Sequence, residues 1–180
     1  MLRFARGSDD GTALKTSIET LAEHYPADVL ACTMNMLSSH DSARALTELA
    51  APFEGSHEAM ANHILTPEQR RVGLARLRLA AALLYCLPGM PCIYYGDEAG
   101  MEGCKDPFNR ATFLWGGEDA SLTEHFRGLA ALLKVHPALR YGSIKVLAAG
   151  NGRLVLQRQW ENESVSASFD ANSCTWEISL

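Results

Sequence analysis

The chain has 180 residues, 47% of them hydrophobic and 21% charged, with 16 Lys and Arg against 21 Asp and Glu for a formal charge of −5. That balance excludes a disordered, collagen-like or coiled-coil chain, and at this size roughly 70% of the unfolded surface can be buried. The mild acidity lacks the clustered cations that displace counterions, so no nucleic-acid partner is expected.

Taken in chain order, the amino terminus MLRFARGSDDG carries no apolar stretch long enough for a signal-peptide core. Residues Gly11 to His24 place Leu14, Ile18 and Leu21 at helical spacing, with Asp9 and Asp10 as caps, and Pro26 ends that helix. Residues Asp28 to Leu37 read as a short buried strand, broken by the polar cluster Ser38-Ser39-His40-Asp41. A buried strand that ends in polar residues is how parallel-sheet proteins present chemistry at strand carboxyl ends.

A short helix is expected over Ser42–Ala50, then an irregular stretch. Thr66-Pro67-Glu68-Gln69 is a capping box with proline at the first helical position, and the helix it opens runs to about Leu87. Arg70, Arg71, Arg76 and Arg78 read as its solvated face. The longest apolar run, Leu79–Leu87, stops at Pro88-Gly89, well short of the ~20 residues of a membrane span, so no membrane partner is expected. Cys92–Tyr95 is a second strand, again ending in a polar cluster, Gly96-Asp97-Glu98. A glycine-rich loop follows to Gly117, and Ser121-Leu122-Thr123-Glu124 reads as a second capping box opening a helix to about Val135.

The order helix, strand, helix, strand, helix is the rhythm of βα units on a parallel sheet. From Tyr141 the rhythm changes. Segments 143–148 and 153–160 flank Asn151-Gly152, a strong hairpin signal, and 165–169 and 175–178 flank a second turn. The expected division is 1–140 for the α/β part and 141–180 for a small antiparallel sheet. Five cysteines, an odd number without a Cys-x-x-Cys pair, point to reduced, mostly buried thiols and a cytoplasmic location.

If the two strands pair in parallel, their carboxyl ends bring His40-Asp41 and Asp97-Glu98 to one mouth, with Asp106 and Arg110 in the loop beyond. Carboxylates beside imidazole and cationic donors suit polyhydroxylated substrates, whose hydroxyls both donate and accept. A metal-dependent phosphohydrolase is disfavoured, because the other histidines lack ligand spacing. Met34, Met36, Met90 and Met101 read as core filler, and Trp115, Trp160 and Trp176 as packing residues rather than sugar platforms.

The segment MNMLSSHDSARALTEL at 34–49 resembles the seventh-strand motif of the α-amylase family of glycoside hydrolases. LPGMPCIYYGDEAGMEGCKDPFNRATFLW at 87–115 is similar to the eighth strand and its following loop, most of all in the neopullulanase, cyclomaltodextrinase and maltogenic amylase branch. The resemblance covers about 30–140. It implies the last part of a (β/α)₈ TIM barrel, about two βα units with outer helices, followed by a small antiparallel β-sheet.

Carried over residue by residue, the resemblance makes Asp41 the carboxylate that stabilises the transition state and His40 the imidazole donor to the same sugar. Asp106 and Arg110 become the pair that holds the next sugars, and Arg44 is placed with this substrate-binding group, although with Asn35 it fits better as a supporting residue that fixes the loop. Tyr95, Asp97 and Glu98 read as structural. The family's nucleophilic Asp and acid/base Glu belong to the fourth and fifth strands, which have no counterpart here. The expected function is the carboxy-terminal portion of an α-glucan hydrolase, acting on α-1,4 and in some cases α-1,6 bonds of maltodextrins, cyclodextrins or pullulan, and inactive alone. The alternative is a stand-alone non-catalytic carbohydrate-binding or complementation module. The expected partners are an α-glucan oligosaccharide and, by self-association or docking, whatever covers the open barrel edges. No cofactor is expected; calcium occurs in the family, but no ligands for it are identifiable in this sequence.

Overall fold

The computed structural model describes residues 1–180. In chain order the elements are α1 (Leu2–Ala5), α2 (Thr12–His24), α3 (Ala27–Ala31), β1 (Met34–Met36), α4 (Ala45–Ala50), α5 (His57–Ala61), α6 (Pro67–Cys86), β2 (Met90–Cys92), α7 (Ala120–Val135) and α8 (Pro137–Tyr141), then strands β3 (Ser143–Gly150), β4 (Arg153–Trp160), β5 (Glu163–Asp170) and β6 (Thr175–Ser179).

β1 and β2 pair in parallel, with Met34, Asn35 and Met36 opposite Met90, Pro91 and Cys92. A parallel pair needs a crossover on one face, and α4, α5 and α6 supply it. The entry to β2 is locked locally. The Asn35 carboxamide donates to the Pro88 carbonyl at 2.6 Å. Gly89 has φ +108°, and a Cβ there would lie 2.5 Å from the Thr33 hydroxyl, so both conformation and space require glycine.

α6 is the centre of the molecule. Thr66 and Gln69 form the expected capping box, with Pro67 at the helix start. From Leu77 onward the helix is buried almost all round, Leu77, Leu79, Leu83 and Leu84 being fully enclosed in the core. At its other end Gly73 lets α4 approach: a Cβ there would sit 2.6 Å from the Ala50 side chain. The arginines on α6 do more than face solvent. Arg70 donates to Glu102 and to the Gly100 carbonyl, Arg76 to the Leu49 carbonyl, and Arg78 to Ser121. Only Arg71, paired with Glu68, is the exposed face residue expected of all four.

β3 to β6 form an antiparallel sheet in sequence order, close to the expected strands. The β3–β4 turn has Asn151 at φ 55° and Gly152 at φ 77°, the two left-handed positions of a tight hairpin. Leu154, Leu156, Val165, Ala167 and Phe169 point alternately from β4 and β5 into the same core as α6. Arg158 continues that inward face. It is buried without a carboxylate and donates to the carbonyls of Cys86, the last residue of α6, at 2.9 Å and Gly142 at 2.8 Å. Burial pushes its guanidinium down to about 10 and the Cys86 thiol up to about 12.

Several boundaries differ from those expected. Residues 27–31 are helical, because Pro26 in an extended conformation hands over to Ala27-Asp28 with the acidic side chain in the first turn; only 34–36 of the expected 28–37 strand pairs. The second strand is Met90–Cys92, earlier than the expected Cys92–Tyr95, since the tyrosines leave the ladder to enclose Arg44. The helix expected from Ser42 starts at Ala45, with Arg44 extended ahead of it. The α7 cap is Asp119, which accepts from the Leu122 amide at 2.9 Å; Ser121 lies inside the helix. Asp9 and Asp10 do cap α2, accepting from the amides of Leu14 and Thr12, but from just before the N-cap Gly11. Of the tail strands β4 has its expected ends, and β3, β5 and β6 run one to two residues beyond theirs.

Burial also corrects the sequence reading. Met101 is core, whereas Met34, Met36 and Met90 are 63%, 41% and 54% exposed on the two-stranded sheet. Trp115 is 86% exposed and no packing residue, although it lies against Phe113; Trp176 packs on the core beside His125. All five cysteines are free, but only Cys86 and Cys104 are buried. No helix is long and apolar enough to cross a membrane.

Candidate functional site

The parallel pairing of β1 and β2 sends both carboxyl ends in one direction, so the segments Leu37–Arg44 and Ile93–Glu98 leave the sheet side by side. Ser38 begins the first. It is buried and its hydroxyl donates to Asp97 at 2.5 Å, joining the two strand ends directly. The next residues fold on themselves: the Ser39 amide donates to the Ser42 hydroxyl at 2.9 Å, and the Asp41 amide to the Ser39 hydroxyl at 3.2 Å. This turn lifts His40 and Asp41 into solvent, with their side chains 3.2 Å apart at Nε2 and Oδ2.

Beneath the turn lies Arg44, fully buried. Its guanidinium sits 4.3 Å from the Tyr94 ring centroid and 4.5 Å from that of Tyr95, donates to the Tyr95 carbonyl, and stands 3.6 Å from Asp97. The expectation that Arg44 contacts substrate is therefore corrected: a side chain with no exposed surface supports the site from below. Desolvation raises the Asp97 carboxyl to about 6, against the lowering pull of the Ser38 hydroxyl and then of Arg44. Glu98 accepts from the Gly96 amide at 2.9 Å and closes the turn after β2.

The second arm is the loop 102–115. Asp106 and Arg110 form an exposed ion pair, Oδ1 to Nε 2.5 Å. No hydrogen bond or ion pair links them to His40 or Asp41. What joins the arms is backbone and two other side chains, Thr47 and Asn109. The Arg44 amide donates to the Gly103 carbonyl at 3.0 Å, and the Gly103 amide donates to the Thr47 hydroxyl at 2.9 Å. Gly103 has no room for a side chain, since a Cβ would lie 2.4 Å from the Phe108 carbonyl oxygen. Asn109, fully buried, reaches across to the carbonyls of the His40–Asp41 turn. Thr47 and Asn109 carry no role in the sequence reading, although Asn109 stands in the DP-x-NR motif.

The four exposed residues line an open surface rather than a cavity. Two apolar grooves lie elsewhere: one of about 680 Å³ between Ile93, Tyr95, Phe113, Trp115 and α7, the other of about 390 Å³ between α2, α3, Leu87 and Pro88. No three His, Cys, Asp or Glu side chains converge on a point that could hold a metal ion.

The family model of the α-amylase catalytic domain matches residues 8–172. The chain is 39% identical over 140 residues to an amylopullulanase of Thermoanaerobacter thermohydrosulfuricus, covering 78% of this chain and 9% of that protein. It is 29% identical over 181 residues to a cyclomaltodextrinase of Geobacillus thermopakistaniensis, covering 98% of this chain and 27% of that protein. Among solved structures, the type III pullulan hydrolase of Thermococcus kodakarensis superposes with a TM-score of 0.78 at 28% identity, over 94% of this chain and 28% of that one. The cyclic α-maltosyl-(1→6)-maltose hydrolase of Arthrobacter globiformis gives 0.77 at 27%, over 94% and 34%. The chain thus spans about a third or less of the relatives it matches. Its two βα units are part of a TIM barrel, its last four strands the small sheet that follows, and the chain belongs to the α-amylase family.

Proposed function

We propose that this chain is the carboxy-terminal portion of an α-glucan hydrolase, carrying the sugar-holding side of the active site without the nucleophile and the acid/base. The observation that carries this reading is the turn of His40 and Asp41, raised at the carboxyl end of β1 and tied through Asn109 to the arm of Asp106 and Arg110. Cleavage of a glycosidic bond passes through an oxocarbenium-like state, in which positive charge spreads over the sugar ring. The Asp41 carboxylate, held by its turn, supplies fixed negative charge to that ring, and the His40 imidazole donates to hydroxyls of the same unit. The Asp106–Arg110 pair offers charged acceptors and donors to the hydroxyls of the adjoining units. Arg44, Asp97 and Ser38 hold the turn from beneath.

The names of the relatives support an α-glucan as substrate: amylopullulanase, cyclomaltodextrinase and pullulan hydrolase. The Arthrobacter enzyme is solved with maltose and with its cyclic tetrasaccharide. Both α-1,4 and α-1,6 linkages fall within this reading. The Asp and Glu that complete the chemistry belong to barrel strands with no counterpart among the two in this chain, so a polypeptide carrying those strands is the proposed partner.

The test is calorimetric titration of the purified chain with maltotriose, alongside turnover assays on maltodextrin, cyclodextrin and pullulan. Saturable binding is expected, weakened about tenfold in Arg110→Ala by loss of one charge-assisted hydrogen bond, with turnover at the blank level. Failure of the folded chain to bind would remove the glucan reading. Robust turnover abolished in Asp41→Asn would show a complete catalytic set and overturn the incompleteness.

A further inference from the structure

The Asn109 side chain is fully enclosed, and its single amide nitrogen faces three carbonyl oxygens: Ser39 at 3.1 Å, His40 at 2.9 Å and Ser42 at 2.6 Å. A carboxamide has two N–H bonds, so one hydrogen is shared between two acceptors. The orientation of the amide follows from this. With its oxygen turned toward those carbonyls, a buried cluster of oxygens would repel; only the nitrogen fits. The Asn109 oxygen is left buried without a partner. An asparagine that leaves one polar atom unsatisfied while giving both hydrogens to one turn is not explained by filling space, since an unpaired buried acceptor costs about 1–3 kcal/mol.

The three acceptors belong to the backbone that bears His40 and Asp41, and the donor lies between Asp106 and Arg110 in sequence. We propose that Asn109 is a positioning residue: it sets the height of the His40–Asp41 turn above Ser38 and fixes it against the Asp106–Arg110 arm, so that two groups of sugar contacts without any side-chain link are held as one surface. This rests on the reading that both groups contact a glucan. The turn's own hydrogen bonds, Ser39 with Ser42 and Asp41 with Ser39, close its shape but do not anchor it to the arm.

The test is amide hydrogen exchange of the whole chain, followed by maltotriose titration. Asn109→Ala removes the donors; exchange across 39–44 is expected to quicken about tenfold while α6 and the β3–β6 sheet stay at the wild-type rate. Asn109→Asp keeps the shape but exchanges donors for an acid. Relative to wild type, its turn is expected to loosen progressively between about pH 5 and about pH 9, as the carboxyl ionises against the carbonyls, a profile that Asn109→Ala does not share. Unchanged protection of 39–44 in both variants, or loosening spread equally over α6 and the sheet, overturns the proposal. In the titration, Asn109→Ala is expected to weaken maltotriose about fivefold. Wild-type affinity with a loosened turn also overturns the positioning role. A wild-type chain that binds no maltotriose sinks the glucan reading, and the exchange of 39–44 then still decides whether Asn109 anchors the turn.

Discussion

Burial of the Asp97 carboxyl under Ser38 and Arg44 has a consequence for stability with a definite sign. Its value is raised from 3.8 to about 6, so between those values the folded chain holds a proton there that the unfolded chain has lost. Stability from this group is therefore full below about pH 4 and is lost as pH rises through about 6, amounting to about 3 kcal/mol if the whole difference is realised. The difference in unfolding free energy between wild type and Asp97→Asn, measured in urea across pH 4 to pH 7, is expected to shift against the wild type by about that amount. A flat difference would mean that Arg44 fully offsets the burial. At this same scale His40, Asp41, Asp106 and Arg110 were legible in the sequence as candidates, because each sits in a contiguous motif whose spacing survives without any knowledge of the fold. Arg44 was left between substrate contact and loop support for a physical reason: a motif gives order along the chain but not depth. Asn109 was seen as a letter and not as a function, since its three acceptors lie 67 to 70 residues away.

At the scale of elements, the long helices were legible because capping and proline are local signals. Thr66, Pro67 and Gln69 mark the start of α6 unaided. The short strands were not. β1 and β2 have three residues each, and their limits are set by what draws the chain away: Arg44 takes Tyr94 and Tyr95 out of the ladder, and α3 claims half of an expected strand. Helix packing also hides in sequence. Gly73 reads as a flaw in α6, and in an exposed helix Ala would gain about 1 kcal/mol there. Yet the space a Cβ would need is occupied by Ala50 at 2.6 Å and Leu46 at 2.9 Å. Gly73→Ala is therefore expected to destabilise by about 1–3 kcal/mol as α4 is pushed off. Thermal and urea unfolding check this, and a stabilised variant would show that α4 moves freely.

For the whole molecule, the two-stranded sheet leaves Met34, Met36 and Met90 exposed, and apolar grooves flank it on both sides. Two short strands also present unpaired edges. The chain is expected to self-associate, with sedimentation velocity showing a concentration-dependent mass that falls when Met34, Met36 and Met90 are replaced by Ser. A monodisperse monomer at high concentration would show that these faces are content in water. The antiparallel tail was legible as two hairpins but not in the tight β4–β5 turn between them, and its attachment was not legible, because alternation sets Arg158 inward without saying which carbonyls it meets.

That attachment bears on cooperativity. One guanidinium closes the open carbonyl at the end of α6 and the carbonyl that precedes β3, and both bonds are made in the interior. Peeling the sheet from the helices would break both bonds and expose the shared apolar face of Leu154, Leu156, Val165, Ala167 and Phe169 to water at once, so partial detachment is costly. Helical layer and antiparallel sheet are therefore expected to melt in a single step, the last forty residues holding the carboxyl end of α6 although they bear none of the four exposed candidate residues.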